Sequence, residues 1–349
     1  MFTISVCMIV KNEEEVISRI LSCVKKFADE IIIVDTGSTD STISICKTFT
    51  KNIFHFEWCN DFSKARNFSF SKATKEYIMW LDADDFITQP NIQKILDLKK
   101  TNNPADCYMF KYVMGFIDNT PTFEFFRERL LKRSCNYKWC GFVHEAITPH
   151  GKIIYKDIEI EHRKIKTSEP KRNLKLYRDA LTRGVKFNPR EQYYYSRELY
   201  FNNYFKHAII ELKKYLKLGD TYEPNLTGAH LILAKCYIQT NQLNHAKQTL
   251  INSISNYLPT SEMCCLLASV FDMLNKSDMA ILWYNIALIT PKNADGFVQK
   301  DYYEYIPYVE LCRLFYRIDY NKSKYYFLKA KALKPNSAEI IYNQQFFDN

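Results

Sequence analysis

The sequence has 349 residues and is 47% hydrophobic, which suits two domains with full cores and excludes a disordered chain. Its net charge of +9 is scattered along the chain, so it favours solubility and gives no reason to expect a nucleic-acid partner. The eleven cysteines lack the paired spacing of a zinc site. The sequence shows neither a leader peptide nor a run of about 18 apolar residues. We therefore expect a reduced, cytoplasmic protein without a transmembrane segment.

Four apolar runs predict β-strands in the first half of the chain: 4–10, 31–34, 53–56 and 77–81. The segments between these strands are typical of helices. The acidic residues 13–15 indicate the start of one helix, the turn 35–42 leads into a second, and 61–74 is predicted as a third. This alternation predicts an α/β domain with a parallel sheet. Aromatic and β-branched residues take over from about 107 to 160, and further strands at 108–116 and 122–131 would make the sheet mixed.

An acidic cluster follows the fourth predicted strand and contains Asp82, Asp84 and Asp85. In an open α/β sheet, ligands bind just beyond the carboxyl ends of the strands. Carboxylates gathered there repel each other unless a cation holds them, and oxygen ligands suit Mg²⁺ or Mn²⁺. The cluster therefore predicts a divalent ion and a phosphorylated substrate, with a solvated acidic loop as the alternative.

The second half of the sequence is helical in character from about residue 171 and shows a period of 34 residues. Ala234 recurs as Ala268, and Ala246 recurs as Ala280. Such spacing of small residues is typical of tetratricopeptide helix pairs, and an unrelated helical bundle is the alternative. We therefore predict a first domain over 1–168 and a helical repeat domain over 169–349.

Four segments of the first half resemble the signature of a known family: 4–14, 34–40, 61–67 and 81–85. In this order and on these elements they resemble family 2 glycosyltransferases with the GT-A fold, over about residues 1–165. The helical half resembles the tetratricopeptide-like tail of one subgroup. The resemblance implies a GT-A (Rossmann-like) mixed-sheet domain followed by an all-α helical repeat domain.

The resemblance also implies where a nucleotide-sugar donor binds. Ile9, Val10 and Lys11 would line the nucleoside pocket, although many relatives carry a base-stacking aromatic residue in place of Lys11. Asp35 would accept a hydrogen bond from a uracil-type base, and its alternative role is to cap a turn. Arg66 matches an arginine near the base and diphosphate, where a planar fork of donors is suitable, and its alternative is an ordinary surface arginine.

The acidic cluster corresponds to the metal site of the family. Asp82 falls where relatives contact the ribose or the metal, and Asp84 falls where they bind the ion that bridges both phosphates. Asp85 is expected to support a ligand. His162 follows a predicted strand where the subgroup often has a histidine, so it is a further candidate ligand, with a structural role as the alternative. The ion, Mn²⁺ or Mg²⁺, would act as a Lewis acid on the departing nucleoside diphosphate.

The acceptor side of the predicted site is expected within two later segments that resemble the same subgroup, 129–133 and 139–145. An inverting transfer needs a base that removes the acceptor proton. Glu145 is the candidate base, and His144 is expected either to orient Glu145 or to be the base itself. An ordinary glutamate at a strand edge is the alternative.

These features together predict a metal-dependent inverting glycosyltransferase that moves a sugar from a nucleotide-sugar, most simply a UDP-sugar, to a protein, peptide or glycan acceptor. The rival hypothesis is a non-catalytic scaffold that works through its tetratricopeptide-like domain and carries a degenerate GT-A domain. Retention of Asp35, Arg66, Asp82 and Asp84 favours the enzyme. The helical domain is expected to bind the acceptor, form a homodimer or only support the first domain.

Overall fold

The structure, a computed structural model, describes residues 1–102, 104–117, 120–163, 165, 170–291 and 300–347. It divides into two compact units, Met1–Asp179 and Ala180–Asn349. The domain boundary predicted between 168 and 169 lies outside the described residues and stays a prediction.

The first unit contains an eight-stranded mixed sheet within its described part, in the order β3-β2-β1-β4-β7-β6-β10-β5, and a two-stranded ribbon, β8-β9. The strands are β1 Ile4–Val10, β2 Glu30–Asp35, β3 Ile53–His55, β4 Tyr77–Trp80, β5 Asp85–Phe86, β6 Cys107–Ile117, β7 Thr120–Lys132, β8 Trp139–Cys140, β9 Ala146–Ile147 and β10 Ile153–His162. The first four sheet strands are parallel, whereas β7 pairs antiparallel with both β4 and β6. The predicted mixed α/β sheet is confirmed.

Five helices accompany the sheet among the described residues: α1 Ile17–Val24, α2 Thr42–Cys46, α3 Phe62–Ser71, α4 Gln89–Leu98 and α5 Arg172–Thr182, which crosses the boundary between the units. Helix α3 begins where the sequence predicts, because the Asp61 carboxylate accepts a hydrogen bond from the Lys64 amide at 3.1 Å. Helix α1 begins later than expected, at Ile17, since the segment from Glu13 first forms a turn in which the Val16 amide bonds the Glu13 carbonyl.

Strand pairing brings separate parts of the sequence to one edge of the sheet. In the parallel pairing of β1 with β2, Val10 lies opposite Asp35, and the residues after β4 lie at the same end because β4 also pairs parallel with β1. The antiparallel pairing of β10 with β5 places His162 opposite Asp85. The predicted acidic cluster and the predicted histidine therefore meet through a strand pair that the sequence did not indicate.

The second unit consists of helices that pack in sequential pairs in its described part. They are α6 Pro189–Phe201, α7 Phe205–Tyr215, α8 Glu223–Gln239, α9 Leu243–Ile254, α10 Ser261–Met273, α11 Ser277–Ile289, α12 Tyr305–Phe315, α13 Tyr320–Leu333 and α14 Ala338–Gln344. The four periodic alanines are fully buried, as the close approach of paired helices requires. The predicted all-α repeat domain is confirmed. None of the described helices is long and apolar enough to cross a membrane.

The same turn closes three of the helix pairs. Asn203, Asn241 and Asn275 each adopt a left-handed backbone, with φ of 63°, 56° and 57°. After each of them, the next amide bonds a carbonyl five residues earlier, as in the bond from Gln242 to Tyr237. Asparagine tolerates this conformation better than other residues with a side chain, so the repeat is encoded in its turns as well as in its alanines.

Replacing Asn241 tests this role of the turn. Asn241→Ala should lower the free energy of unfolding by about 1 kcal/mol, because alanine disfavours the left-handed backbone, whereas Asn241→Gly should change it little. The side chain is exposed, so packing does not confound the comparison. Chemical denaturation followed by circular dichroism measures both variants, and equal losses in the two would contradict the prediction.

Candidate active site

Asp85 is the buried centre of the acidic cluster. It is 0% exposed, and its Oδ2 accepts hydrogen bonds from the Asp82 amide at 3.0 Å and from Arg129 NH1 at 3.1 Å. Its Oδ1 accepts a hydrogen bond from the Tyr112 hydroxyl at 3.0 Å. Both carboxylate oxygens are therefore engaged by protein donors, as a buried charge requires.

Arg129 supplies the positive charge that this buried carboxylate needs. Its side chain is 0% exposed, and the guanidinium carbon lies 3.6 Å from the Trp80 ring centre and 4.2 Å from the Tyr112 ring centre. NH1 also donates to the Trp80 carbonyl at 3.2 Å. The sequence interpretation placed Arg129 in a segment of the acceptor side. Arg129 directly follows Arg127 and Glu128, so the local sequence does not mark it as a buried structural cation.

His162 lies beside Asp84 and Asp85 at the end of β10. Its Nδ1 is 3.3 Å from Asp84 Oδ1, 3.8 Å from Asp85 Oδ1 and 2.9 Å from the Tyr112 hydroxyl. Burial lowers the pKa of His162, but hydrogen bonds to Asp84 and Asp85 outweigh it and raise that pKa to about 9. The positive charge of the His162 ring thus offsets the negative charges of Asp84 and Asp85, where a metal cation could also do so.

These three residues fit a divalent ion by the chemistry of their donors. One ligand atom from each of Asp84, Asp85 and His162 can be chosen so that all lie within 4.8 Å of one another. Because both oxygens of Asp85 already accept hydrogen bonds, Asp84 is the more available carboxylate, and His162 can act as a ligand only in its neutral form. The carboxylate oxygens of this set suit either Mg²⁺ or Mn²⁺.

Arg66 joins two of the other predicted site residues. Its Nε donates to Glu145 Oε1 at 2.7 Å, and its NH2 donates to Asp82 Oδ1 at 2.7 Å. The guanidinium carbon lies 5.1 Å from the Trp80 ring centre and 4.7 Å from the Trp139 ring centre. The ordinary surface arginine that was the alternative is thereby ruled out.

The same ion pair sets the charge of Asp82. Burial alone would raise the pKa of Asp82, but the guanidinium groups of Arg66 and Arg129 outweigh it and lower that pKa to about 2. Asp82 is therefore an anion whose Oδ1 faces Arg66, whereas Asp84 is the aspartate that faces His162. The two ends of the cluster have different partners.

The remaining predicted donor residues lie at the ends of β1 and β2. The Asp35 carboxylate accepts hydrogen bonds from the amides of Gly37, at 3.2 Å, and Ser38, at 3.0 Å. This is the turn-capping arrangement, and Gly37 has a φ of +104° that few other residues adopt. Ile9 is half-buried, Val10 is buried and Lys11 is exposed. Recognition of a base by Asp35 stays a prediction.

His144 precedes Glu145 in a loop with an unusual backbone. His144 has a φ of +53° and Gly141 a φ of +90°. A non-glycine residue with positive φ is uncommon and is often found at functional sites. The structure places Glu145 against Arg66 and leaves the choice of base between Glu145 and His144 open.

The sequence interpretation missed two side chains that support the site. Tyr112 on β6 contacts both Asp85 and His162 through its hydroxyl. Arg19 on α1 donates from NH2 to the carbonyls of Asp84, at 3.0 Å, and Arg163, at 2.9 Å. Neither stands in a recognisable motif, because each acts through strand pairing or helix packing that only the folded chain creates.

The first unit contains a segment that matches a known protein family. Residues 5–161 match the model described as glycosyl transferase family 2. This segment is a family 2 glycosyltransferase domain. The predicted family resemblance is confirmed, and the eight-stranded sheet and the acidic cluster both belong to the glycosyltransferase domain.

Curated relatives extend the likeness beyond the glycosyltransferase domain. The SPbeta prophage-derived glycosyltransferase SunS of Bacillus subtilis is 29% identical over 258 residues, which cover 68% of this chain and 60% of SunS. The chain thus spans about 60% of the length of that relative. An uncharacterized glycosyltransferase of Rickettsia typhi is 27% identical over 45% of this chain and 54% of its own length. A TPR repeat-containing protein of Synechococcus elongatus is 44% identical over 85 residues, 24% of this chain and 21% of the relative.

Two solved structures share a partial likeness with the chain. PilF of Pseudomonas aeruginosa has 20% identity and a TM-score of 0.41, covering 51% of this chain and 74% of its own. A tetratricopeptide repeat protein of Thermus thermophilus has 15% identity and a TM-score of 0.37, covering 49% of this chain and 87% of its own.

Removing Arg129 tests the buried ion pair beneath the glycosyltransferase site. Arg129→Met should lower the free energy of unfolding by about 3–5 kcal/mol, because Asp85 would remain buried without a counterion. The double variant Arg129→Met/Asp85→Asn should recover part of that loss. The control is Lys94→Met, which breaks the exposed pair with Asp157 and should cost less than about 1 kcal/mol. Urea denaturation measures all three, and equal losses for Arg129→Met and Lys94→Met would contradict the prediction.

Proposed function

We propose that this protein is a metal-dependent inverting glycosyltransferase that transfers a sugar from a nucleotide-sugar, a UDP-sugar in the simplest case, to a protein, peptide or glycan acceptor. The observation that carries the proposal is the pair of charged clusters at one edge of a family 2 glycosyltransferase domain. Asp84 with His162 forms one cluster, and Asp82, Arg66 and Glu145 form the other. A degenerate scaffold domain has no need to keep both.

The donor is proposed to lie across the carboxyl ends of β1, β2 and β4. Ile9, Val10 and Lys11 would contact the nucleoside, and Asp35 would accept from the base. These contacts are supported by the pairing of Val10 with Asp35, which brings the two strand ends together. The Asp82 carboxylate is also proposed to accept a hydrogen bond from a ribose hydroxyl.

Asp84 and His162 are proposed to hold the divalent ion, Mn²⁺ or Mg²⁺, with Asp82 as a further ligand. When bound, the ion neutralises negative charge on the departing nucleoside diphosphate. Asp85 keeps Asp82 and Tyr112 in place through its hydrogen bonds, and Tyr112 in turn contacts His162. The ligand side chains are thus supported by residues that do not contact the ion.

Glu145 is proposed to remove the proton from the acceptor hydroxyl or other nucleophile. Its Oε1 accepts a hydrogen bond from Arg66 Nε at 2.7 Å, which fixes the direction of the carboxylate. His144 is its neighbour and the second candidate. The helical unit is proposed to bind the acceptor or a second copy of the chain, since the exposed faces of such repeats are common binding surfaces. A cytoplasmic location belongs to the same proposal.

A donor panel tests the proposed function. The protein is incubated with UDP-glucose, UDP-galactose, UDP-N-acetylglucosamine and GDP-mannose, with and without Mn²⁺, and the released nucleoside diphosphate is measured. At least one donor should be hydrolysed only with Mn²⁺, and Asp84→Asn should slow that release on the order of 100-fold.

The control for the donor panel is Asp157→Asn, the same change at an exposed aspartate of β10, which should leave the release unchanged. The proposal fails if no donor of the panel is bound or hydrolysed with Mn²⁺, or if Asp84→Asn behaves like Asp157→Asn.

Two further variants identify the base. Glu145→Gln should reduce hydrolysis of the active donor about 100- to 10,000-fold while leaving the donor dissociation constant, measured by calorimetry, unchanged. His144→Asn is the companion variant, because asparagine accepts the positive φ at this position. It should retain most of the activity. Loss of donor binding in Glu145→Gln, or a larger loss of rate in His144→Asn, would show that Glu145 is not the base.

A further inference from the structure

Helix α3 is fastened to the segment that carries Glu145. This segment, residues 139–147, contains β8, the turn and β9, and is called the Glu145 loop here. The Phe62 amide at the start of α3 donates to the Phe142 carbonyl at 3.0 Å. The Asn67 side-chain amide donates to the Trp139 carbonyl and accepts from the Trp139 amide, each at 2.9 Å. Asn67 thus pairs with β8 as a neighbouring strand would.

Arg66 provides a third contact between helix α3 and the Glu145 loop, and this contact is made to the Glu145 carboxylate itself. Its two hydrogen bonds use different nitrogens of one rigid plane, Nε for Glu145 and NH2 for Asp82. Its side chain is 10% exposed, and the Trp80 and Trp139 rings both lie within 5.1 Å of the guanidinium carbon. A guanidinium so enclosed is well placed to fix two carboxylates and poorly placed to bind a diphosphate from solvent.

Apolar contacts also hold helix α3 against the Glu145 loop. Phe70 of α3 contacts the Trp139 ring with centroids 6.1 Å apart, and the Trp139 and Trp80 rings are 4.9 Å apart. Phe70, Trp80, Trp139 and Ile147 belong to one buried cluster. Polar and apolar contacts of α3 therefore converge on the loop and on the end of β4.

We propose that Arg66 and Asn67 are positioning residues for the Glu145 loop, and that Arg66 sets the distance between the base and Asp82 instead of binding the donor diphosphate. The inference rests on the proposed function only in its naming of Glu145 as the base. It replaces the role that family resemblance assigned to Arg66. A single planar side chain would then link the acceptor side of the site to the donor side.

Arg66→Lys is the discriminating variant, because lysine keeps the positive charge but cannot bond two carboxylates through one plane. Asn67→Ala is the second variant and removes the attachment of Trp139 without changing any charge. Lys64→Gln is the matched control, since Lys64 lies on the same helix and its side chain is 67% exposed.

Hydrogen exchange measures the attachment without reference to activity. Backbone amides of the Glu145 loop should exchange at least about tenfold faster in Arg66→Lys and Asn67→Ala than in the wild type, while those of β1 stay protected. Lys64→Gln should match the wild type. Unchanged exchange in both variants would overturn the inference, even if the protein proves to be an active glycosyltransferase.

Kinetics separates the two roles of Arg66. With the donor that the wild type hydrolyses, Arg66→Lys should lower kcat about 10- to 100-fold and leave the dissociation constant of UDP with Mn²⁺ within about threefold of the wild type. Combining Arg66→Lys with Glu145→Gln should give no further loss beyond Glu145→Gln alone, because a positioning residue acts through the residue it holds.

Two results would overturn the positioning role: weaker UDP binding as the main effect of Arg66→Lys, or losses that multiply in the double variant. Either outcome would leave the proposed function standing and would return Arg66 to the donor site. Failure of the wild type to hydrolyse any donor would overturn the proposed function instead, and the exchange experiment would still decide whether α3 holds the loop.

Discussion

The buried ion pair between Asp85 and Arg129 is the constraint on which the rest of the site depends. Neither group is exposed to water, so each charge requires the other, and the remaining lone pairs of Asp85 must be met inside the protein. Asp85 meets this need by accepting from the Asp82 amide and the Tyr112 hydroxyl. The pair thereby sets the turn after β4 and places the residue that contacts His162.

Arg66 is a second arginine that packs against the Trp80 ring. Arg129 and Arg66 both lie over the Trp80 ring, but Arg129 has a buried carboxylate as partner whereas Arg66 bonds two partly accessible ones. The division explains how two arginines can share a small volume with Asp82, Asp85 and Glu145. One arginine stabilises the frame, and the other is proposed to set the spacing of groups that meet substrates.

Much of the fold could be predicted because its signals are local. Strand β1 has the predicted bounds of 4–10, since a strand buried on both faces reads as an unbroken apolar run. The repeats were predicted from alanines that must be small wherever paired helices cross. Strand β5 was not predicted, because its two residues include a buried aspartate whose burial depends on Arg129, far away in the sequence.

The sequence by itself determined the class of the molecule: an α/β domain with an acidic cluster after its fourth strand, followed by helical repeats of 34 residues. Only the tertiary structure decided which partner each charged residue has. Asp82 faces Arg66, Asp84 faces His162 and Asp85 faces Arg129, although the three aspartates are near neighbours in the chain. The physical reason is that ion pairing depends on distances between strands and helices, which are set when the sheet pairs and the core packs.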